Sequence, residues 1–582
     1  MEISNPRIAK ILRNVAASYK IKGIGNIFQI RAYENAADSI EHSTAEISSL
    51  WEEGRLDEVP GLGKSIISYL EELFTKGKVI HFEEIQKDIP KVVFDLLDIP
   101  GVGPKTAQKI AELGVKDIAD LKSQIKTGEL IKKGFSAKLA ENIMGGLGRL
   151  SVKTGRMLLP YAFAQAEKIV DYLKQNKEVK EAHFLGSLRR MVATIGDLDF
   201  SVSSDKSEKV IEYFCQMPGV TRVLEKGSNQ ASVVLGSGLR LDLLVGEPES
   251  YGALLQHFTG GKNHNIHLRS LAERNGLSLS EIGVKKISTG KIVHTKTEDD
   301  FYKLMGMQTP LPEIREDTGE IEAALAHKLP NFVELKDIKG DLHLHSNFPI
   351  KNPSHGPGVN PIEEIVKKAQ QLGYQFVGIS DHPLGISTTS ENEKIEWVEK
   401  RTKFIQQIQQ KTKSIRVLNG LEVDILGNGD LSVPDQALAT LDYCIAGIHS
   451  GHSGAKEIIT NRLLKALNNP HVDIISHPTN RLLNERDSSE ADWVEVFKMA
   501  AKNNKLLEIN AFPNRLDLRD DLVKQALKYG VKFIINTDAH QISQMDNMRF
   551  GVAVARRGWT TKKEIVNTWD WKDFVKWFKI KT

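Results

Sequence analysis

The stretch that decides the fold is GSLRRMVATIGDLDFSV, residues 186–202. It begins with a Gly-Ser turn and two arginines, and it ends in an apolar run that contains Asp197 and Asp199. The alternation in this run predicts a β-strand that presents both carboxylates on one face. A second apolar run, residues 239–245, contains Asp242. Because Mg²⁺ binds a few carboxylates together with substrate phosphates, three such acids indicate a two-metal site for phosphoryl transfer.

A lone Asp-x-Asp pair has a simpler interpretation, as two surface acids on a half-buried strand, since short motifs often match by chance. The Gly-Ser turn and the third strand acid favour the catalytic interpretation. Together they resemble the nucleotidyltransferase superfamily and, more narrowly, the family X DNA polymerases. The resemblance implies that Asp197, Asp199 and Asp242 are the catalytic acids and that they bind Mg²⁺ or Mn²⁺.

The same resemblance assigns residues to the nucleotide and to the primer. Ser187 and Arg190 would hold the triphosphate, because the arginine fork matches phosphate oxygens, although a solvated arginine pair is the alternative. Arg240 would orient the primer end, and the partners would be dNTPs and gapped or primer-template DNA. The implied nucleotide-binding residues are Gly186, Ser187, Arg190, Gly196, Phe258, Gly260 and Asn265.

Two positions depart from the family pattern. Tyr69 stands where some members carry a lysine that forms a Schiff base with an abasic sugar, and a tyrosine cannot form an imine. His257 stands where an aromatic residue is usual. Lyase chemistry and sugar discrimination therefore do not follow from the resemblance.

Two copies of one motif precede this region, VPGLGKS at residues 59–65 and IPGVGPK at residues 99–105. Each is followed by an amphipathic helical pattern, whose first N–H groups would face an anion. A Pro-Gly loop between packed helices is the alternative for one copy. The repetition favours two helix-hairpin-helix elements that bind the DNA backbone without reading sequence. The predicted DNA-binding residues are Gly61, Gly63, Lys64, Gly101, Gly103 and Lys105.

The bulk composition is typical of a soluble globular protein, with 40% hydrophobic and 26% charged residues. Its 582 residues suffice for about three to five domains. Two cysteines exclude a disulfide scaffold and fit a reducing cytosol. We find no signal peptide and no apolar stretch of spanning length, so we expect a cytoplasmic monomer without membrane contacts. The net charge of +3 means that DNA contacts require locally placed basic residues.

From Asp341 onwards the chain alternates short apolar strands with helices, as parallel α/β domains do. Six predicted strands end in side chains that can bind metals. These ends carry His343 and His345, Asp381 and His382, Glu422, His449, His477, and Asp538 and His540. A single such histidine is more often structural. Because the carboxyl ends of parallel barrel strands converge, six of them favour one metal centre.

This pattern resembles the PHP family, whose distorted seven-stranded barrel holds up to three ions, here Mn²⁺, Zn²⁺ or Fe²⁺. The resemblance makes ligands of His343, His345, His382, Glu422, His449, His477, Asp538 and His540, with His355 as the only good candidate for a ninth. It implies metal-dependent hydrolysis of phosphate esters, and the companion polymerase indicates a 3′–5′ exonuclease. Arg481 and Arg515 follow strand ends and are either phosphate contacts or surface residues.

The sequence thus predicts a multidomain α+β and α/β protein. The predicted domains are a helical DNA-binding domain (1–86), a fingers-like domain with the second hairpin (87–150), a nucleotidyltransferase palm (151–250), a thumb (251–318), a linker (319–336) and a PHP barrel (337–582). The favoured function is gap filling in base excision repair with a 3′–5′ exonuclease. The main alternative is a PHP phosphoesterase whose N-terminal half binds DNA without catalysis. A small-molecule phosphatase is the third hypothesis.

Overall fold

The computed structural model describes residues 3, 5–41, 47–52, 54–59, 61–97, 99, 102–136, 140, 143, 156–236, 239–352, 355–385 and 388–580. Short 3-10 helices span Leu56–Glu58, Pro248–Ser250, Pro312–Ile314, Leu335–Asp337, Ile542–Asn547 and Val566–Thr568. Within the described ranges, no helix combines the length and the apolar character needed to cross a membrane.

The N-terminal part of the chain is α-helical. Its helices are α1 (Asn5–Lys22), α2 (Ile27–Glu41), α3 (Ile47–Glu52), α4 (Lys64–Lys76), α5 (Ile80–Gln86), α6 (Lys91–Leu96), α7 (Pro104–Glu112), α8 (Ile118–Lys126) and α9 (Glu129–Lys132). Apolar residues recur at helical spacing in α1, where Ile8, Leu12 and Val15 are fully buried. The helices form two apolar clusters, one around α1 to α5 and one around α6 to α9. The first predicted hairpin leads into α4, which belongs to the first cluster, and the second leads into α7, which belongs to the second cluster.

Residues 156–246, which include most of the predicted palm, form a mixed sheet packed on helices. The elements are β1 (Met157–Leu158), α10 (Leu159–Lys174), β2 (Glu181–Phe184), α11 (Gly186–Arg189), β3 (Thr194–Ile195), β4 (Leu198–Ser203), α12 (Ser207–Cys215), β5 (Val220–Lys226), β6 (Gln230–Leu235) and β7 (Arg240–Gly246). The main sheet has the order β2-β4-β7-β6-β5, and β4 runs parallel to β7. Phe200 and Val202 of β4 are fully buried in the core. Because β4 begins at Leu198, Asp197 precedes the strand instead of lying within it.

The next region consists of helices around a small antiparallel sheet. Its elements are α13 (Tyr251–Thr259), α14 (Lys262–Arg274), β8 (Leu277–Ser280), β9 (Gly283–Lys286), β10 (Ile292–Val293), α15 (Glu298–Leu304) and α16 (Glu320–Leu325). The predicted linker contains the expected short helix, α16. That helix is packed into this region, because buried Glu320 lies 2.6 Å from buried His264 Nδ1. A hydrogen bond between two buried side chains therefore ties the start of the predicted linker to the thumb.

The C-terminal part is a parallel seven-stranded barrel. Its strands are β11 (Gly340–Asp341), β12 (Phe376–Ile379), β13 (Arg416–Asp424), β14 (Tyr443–Gly447), β15 (Ile474–Ile475), β16 (Leu506–Asn510) and β17 (Lys532–Asn536), in that spatial order. Its helices are α17 (Ile362–Gln371), α18 (Glu391–Lys411), α19 (Asp435–Leu438), α20 (Lys456–Asn468), α21 (Trp493–Lys502), α22 (Asp520–Leu527), α23 (Met548–Arg557) and α24 (Trp571–Phe578). A parallel bridge between Leu344 and Ala539 links the two ends of the sheet and nearly closes the barrel.

The palm and the barrel share one apolar core. Phe163 of α10 and Phe550 of α23 meet edge to face, with ring centroids 5.7 Å apart. The Arg549 guanidinium lies 4.7 Å from the Phe163 ring centroid and pairs with Glu167 at 3.3 Å. These contacts join the two halves through α10 and α23.

Two candidate active sites

Two of the three predicted palm acids, Asp199 and Asp242, lie side by side in the sheet, and Asp197 directly precedes β4; unlike the barrel residues described below, the three do not form a group whose ligand atoms all lie within 4.8 Å of one another. Asp199 of β4 lies directly opposite Asp242 of β7 in the parallel register. Arg240 Nη2 donates to Asp242 Oδ1 at 2.9 Å, and the Ser232 hydroxyl contacts the same oxygen. Burial, followed by the charges of Asp242 and Asp197, raises the pKa of Asp199 to about 6, although Arg240 acts in the opposite direction. A site with this much negative charge and these oxygen donors fits a hard divalent cation.

Gly186 lies against these acids in a conformation that favours glycine. Its φ is +58°, and an ideal Cβ on it would lie 3.0 Å from Asp199 Oδ2. The turn therefore brings the backbone of the Gly-Ser motif next to a carboxylate, which a side chain would prevent.

We expect the Gly186→Ala substitution to slow primer extension by roughly tenfold, because a methyl group would displace both the turn and the Asp199 carboxylate. Gly219→Ala is the matched control, since Gly219 also has a positive φ (+87°) but only one atom, Leu235 Cδ2 at 4.0 Å, lies near its ideal Cβ. Extension of a gapped primer by the two variants would be compared at saturating dNTP. Equal losses in both would contradict a specific role for Gly186.

The two arginines after Ser187 are paired with acids of the thumb region. Arg189 Nη2 lies 2.6 Å from Glu298 Oε2. Arg190 Nε donates to Glu316 Oε1 at 2.9 Å, and its Nη1 donates to the Thr259 backbone oxygen at 2.9 Å. Neither arginine is the solvated surface residue of the alternative interpretation.

The other predicted nucleotide residues lie around the turn between α13 and α14. Asn265 Nδ2 donates to the backbone oxygens of His257 at 2.8 Å and Gly260 at 3.2 Å. An ideal Cβ on Gly260 would lie 2.3 Å from Asn265 Oδ1, so this position needs glycine. Phe258 is partly buried beside this turn. Gly196 packs elsewhere, where an ideal Cβ would lie 2.9 Å from Arg156 Nη1.

Among the described residues of the predicted DNA-binding hairpins, a positive φ is found at the turn glycine of the first copy. Gly61 has a φ of +81°, and Gly63 directly precedes α4. In the second copy Gly103 directly precedes α7, and Gly101 lies outside the described residues. The side chains of Lys64 and Lys105 are exposed beside these helix starts.

Tyr69, which replaces the expected lyase lysine, takes part in an aromatic cluster. Its ring stacks on His81 with centroids 5.1 Å apart and an interplanar angle of 9°. The Tyr19 hydroxyl lies 2.9 Å from His81 Nε2. In the described part of this region, the position expected for a lyase lysine is therefore occupied by a tyrosine that packs among other aromatic rings.

The predicted ligands of the barrel converge at the carboxyl ends of its strands. Four overlapping groups of side chains lie close enough to hold metal ions. These groups are His345, His382 and His540; His343, His345, Glu422 and Asp538; His355, Asp424 and His449; and Glu422, His449 and His477. All eight ligands predicted from strand ends belong to one of these groups, and so does His355.

The unsatisfied nitrogen atoms of this cluster fit bound cations. Within the described residues, His343 Nε2, both ring nitrogens of His345, and Nδ1 of His382 and of His477 are buried without a hydrogen-bond partner. His343 Nε2 lies 3.1 Å from Glu422 Oε2, and His345 Nε2 lies 3.2 Å from Asp538 Oδ1, yet neither pair has hydrogen-bond geometry. Since buried polar atoms are normally satisfied, this arrangement is typical of ligands directed at a common ion.

The electrostatics of the barrel site hold His540 and Glu422 in the forms that bind metals. Against the effect of burial, the charge of Glu422 raises the pKa of His449 to about 9 and that of His343 well above its ordinary value, so these two imidazoles must lose a proton to bind a metal. Burial, followed by the charge of His345, lowers the pKa of His540 to about 4, so its imidazole is neutral near pH 7. Burial alone would raise the pKa of Glu422, but the charges of His343, His382 and His449 outweigh it and hold that pKa well below its ordinary value. The carboxylate at the centre of the cluster is therefore ionised.

Sequence reasoning missed Asp424 and Glu508. Asp424 Oδ1 lies 2.7 Å from His449 Nδ1 and 3.1 Å from His355 Nε2, so it joins the third group. The signal was its place two residues after Glu422, which puts both carboxylates on one face of β13. Glu508 of β16 accepts from His343 Nδ1 at 2.7 Å. It lies in the apolar run LLEIN, residues 506–510, and this strand-like run could have indicated a further strand with a buried acid.

Arg481 and Arg515 have different roles. Arg481 Nε donates to the backbone oxygen of Arg515 at 2.7 Å, and its guanidinium also contacts the Leu516 carbonyl, so Arg481 supports the loop. Arg515 Nε lies 3.4 Å from Asp538 Oδ2, and its buried Nη1 has no hydrogen-bond partner in the described structure. Arg515 therefore adds a positive charge beside the metal ligands.

Comparison with family models gives matches in four parts of the chain. A helix-hairpin-helix domain matches residues 3–79, a SAM-like helix-hairpin-helix tandem matches 93–149, a DNA polymerase beta thumb matches 254–316, and a PHP domain matches 341–512. DNA polymerase/3′-5′ exonuclease PolX of Bacillus subtilis is 34% identical over 98% of this chain and 99% of its own length. The chain belongs to the PolX family.

More distant relatives of this PolX-family chain match one half each. A probable phosphatase of Clostridium acetobutylicum is 29% identical over 41% of the chain and 94% of its own length. DNA polymerase lambda of Rattus norvegicus is 24% identical over 54% of the chain and 56% of its own length. The predicted family and the predicted fold class are both confirmed. The matches also indicate metal dependence and DNA binding, whereas the individual site residues stay predictions.

Proposed function

We propose that this PolX-family chain fills short gaps in DNA during base excision repair and degrades DNA from its 3′ end at the PHP site. The observation that carries the proposal is the presence of two separate acid-rich centres on one chain, Asp199 opposite Asp242 in the palm and the His/Glu/Asp cluster in the barrel. Each suits phosphate chemistry, and neither shares a residue with the other.

In the polymerase reaction, the primer 3′-OH attacks the α-phosphate of a dNTP and pyrophosphate leaves. Asp197, Asp199 and Asp242 would hold Mg²⁺ or Mn²⁺, which activate the hydroxyl and offset the charge on the phosphates. Ser187 and Arg190 bind the triphosphate, and Arg240 keeps the Asp242 carboxylate in place through its 2.9 Å hydrogen bond. The turn that contains Phe258, Gly260 and Asn265 contacts the sugar and base.

In the exonuclease reaction, water attacks the phosphate that joins the last two nucleotides, the bond to the 3′-oxygen of the penultimate nucleotide breaks, and the terminal nucleotide leaves as a 5′-monophosphate. The nine predicted ligands, with Asp424, would hold up to three ions such as Mn²⁺, Zn²⁺ or Fe²⁺, which supply hydroxide near neutral pH and neutralise phosphate oxygens. Arg515 contacts a phosphate oxygen with its unpartnered Nη1. Glu508 fixes the orientation of the His343 ring through the 2.7 Å contact at Nδ1.

DNA is held through its backbone by the two hairpins. The exposed N–H groups after Gly63 and Gly103, together with Lys64 and Lys105, contact phosphates on both sides of a gap. The binding is independent of sequence and weakens as salt rises.

The test is a pair of assays on the full-length protein. Extension of a primer across a short gap would be measured with dNTPs and Mg²⁺ or Mn²⁺, and shortening of labelled single-stranded DNA would be measured with Mn²⁺. We expect both activities. A protein that degrades 3′ ends but never extends a primer would instead support the PHP phosphoesterase with a non-catalytic DNA-binding half.

A further inference from the structure

A residue of the PHP half contacts the proposed nucleotide site of the palm. Arg557 is the last residue of α23, and its Nη1 donates to the backbone oxygen of Arg190 at 2.9 Å. The same nitrogen donates to Glu316 Oε1 at 3.1 Å, while Nε donates to Asp520 Oδ2 at 2.7 Å within the PHP half. Arg557 is thus anchored in one half of the protein and binds the other.

Glu316 is shared between two arginines. Its Oε1 accepts from Arg190 Nε at 2.9 Å as well as from Arg557. In the described part of the chain, Glu316 forms ion pairs with these two residues and no others. The side chains of Arg190, Glu316 and Arg557 are only 15%, 27% and 12% exposed, so water screens their charges less than at an open surface.

Arg190 therefore has two competing anionic partners, the Glu316 carboxylate and an incoming triphosphate. When the triphosphate recruits the guanidinium, Glu316 loses one of its cations. Leaving a largely shielded carboxylate without any cation costs free energy. Because Arg557 remains on Glu316, it lowers the cost of releasing Arg190 to the nucleotide.

We propose that Arg557 is a positioning residue for nucleotidyl transfer, which holds Glu316 and the Arg190 backbone so that the Arg190 side chain can move from Glu316 to the triphosphate. The PHP half is then part of the nucleotide-binding apparatus. This inference rests on the proposed polymerase function and deepens it.

The first variant is Arg557→Ala in the full-length protein. We expect the KM for dNTP in gap filling to rise by roughly tenfold, the effect of one charge-assisted hydrogen bond, while kcat changes by less than about twofold. Degradation of single-stranded DNA should stay at the wild-type rate, because none of the described hydrogen bonds of Arg557 involves a proposed ligand of the barrel cluster.

Arg556→Ala is the matched control. Arg556 precedes Arg557 on α23 and also crosses to the thumb region, where Nη1 donates to Glu313 Oε1 at 2.8 Å. It has no hydrogen bond to Arg190 or Glu316 among the described contacts. Its loss weakens the same interface, so we expect a KM for dNTP close to that of the wild type.

The Glu316→Gln variant separates positioning from structural support. It removes the charge that competes for Arg190, so we expect the KM for dNTP to fall below the wild-type value. In the double variant, Arg557→Ala should raise the KM by less than it does in the wild-type background, because the Glu316 charge that Arg557 offsets is gone while the contact of Arg557 with the Arg190 backbone is the same in both backgrounds.

Three results would overturn the inference: a wild-type KM in Arg557→Ala, an equal rise in both Glu316 backgrounds, or an unchanged or higher KM in Glu316→Gln. The measurement on Glu316→Gln still tests the inference if the Arg557→Ala protein fails to fold. A wild-type protein that cannot extend primers defeats the proposed function and this inference together, whereas active wild-type protein with any of the three results defeats the inference alone.

Discussion

We expect the Asp199→Ala variant to lose primer extension by at least about a thousandfold and to keep wild-type degradation of 3′ ends. Asp199 lies opposite Asp242 and next to the Gly186 turn, so its carboxylate lies in the proposed site for metal and triphosphate. Removal of a carboxylate that binds catalytic metals costs several kcal/mol of transition-state stabilisation, and each 1.36 kcal/mol is tenfold in rate. Single-turnover extension of a gapped primer with Mg²⁺ measures the loss.

The control for this prediction is Asp205→Ala, which removes an exposed palm carboxylate that pairs with Lys180. It should extend primers at the wild-type rate. An Asp199→Ala protein that still extends within tenfold of the wild type would refute the assignment of this acid. Loss of degradation in the same variant would contradict two independent sites.

We expect the Glu422→Gln variant to lose degradation of 3′ ends by at least about a thousandfold and to keep primer extension. Glu422 belongs to two of the four metal-binding groups, and its two oxygens face different histidines, with Oε2 3.1 Å from His343 Nε2 and Oε1 2.9 Å from His477 Nε2. An amide cannot offset the charge of two ions, so we also expect fewer bound metal ions per chain. Elemental analysis of the purified protein and a nuclease assay measure both effects.

Glu457→Gln is the control, since Glu457 is exposed on α20. It should retain both the metal content and the nuclease activity of the wild type. A His343→Ala variant should show the same pattern as Glu422→Gln. Full metal content in both substituted proteins would contradict the proposed ligand set.

The strand-end acids and histidines were predictable because the geometry of a parallel sheet brings strand ends together independently of the conformation of the loops. Asp199 and Asp242 occupy matching positions on adjacent parallel strands, and the barrel ligands follow from the shared end of its strands. The expectation that Asp197 lies within β4 was wrong by one residue, because strand ends depend on hydrogen bonds that a hydropathy pattern does not contain.

Other parts of the sites depend on long-range contacts that no local pattern reveals. The pairing of Arg190 with Glu316 spans 126 positions, and the contact of Arg557 with the Arg190 backbone spans 367. Asp424 could have been predicted from the sequence, since it lies two residues after Glu422 and therefore on the same face of the same strand. The predicted linker has an acidic, proline-containing sequence, yet Glu320 is buried because His264 provides a partner.

The edge-to-face contact between Phe163 and Phe550 has a consequence for the path of the DNA. The palm and the barrel are held by one continuous apolar core, so they cannot swing apart without exposing that core to water. A hinge motion between the two halves therefore cannot carry a DNA end from the proposed polymerase site to the proposed nuclease site, and the DNA itself must move between two sites that stay at a constant separation.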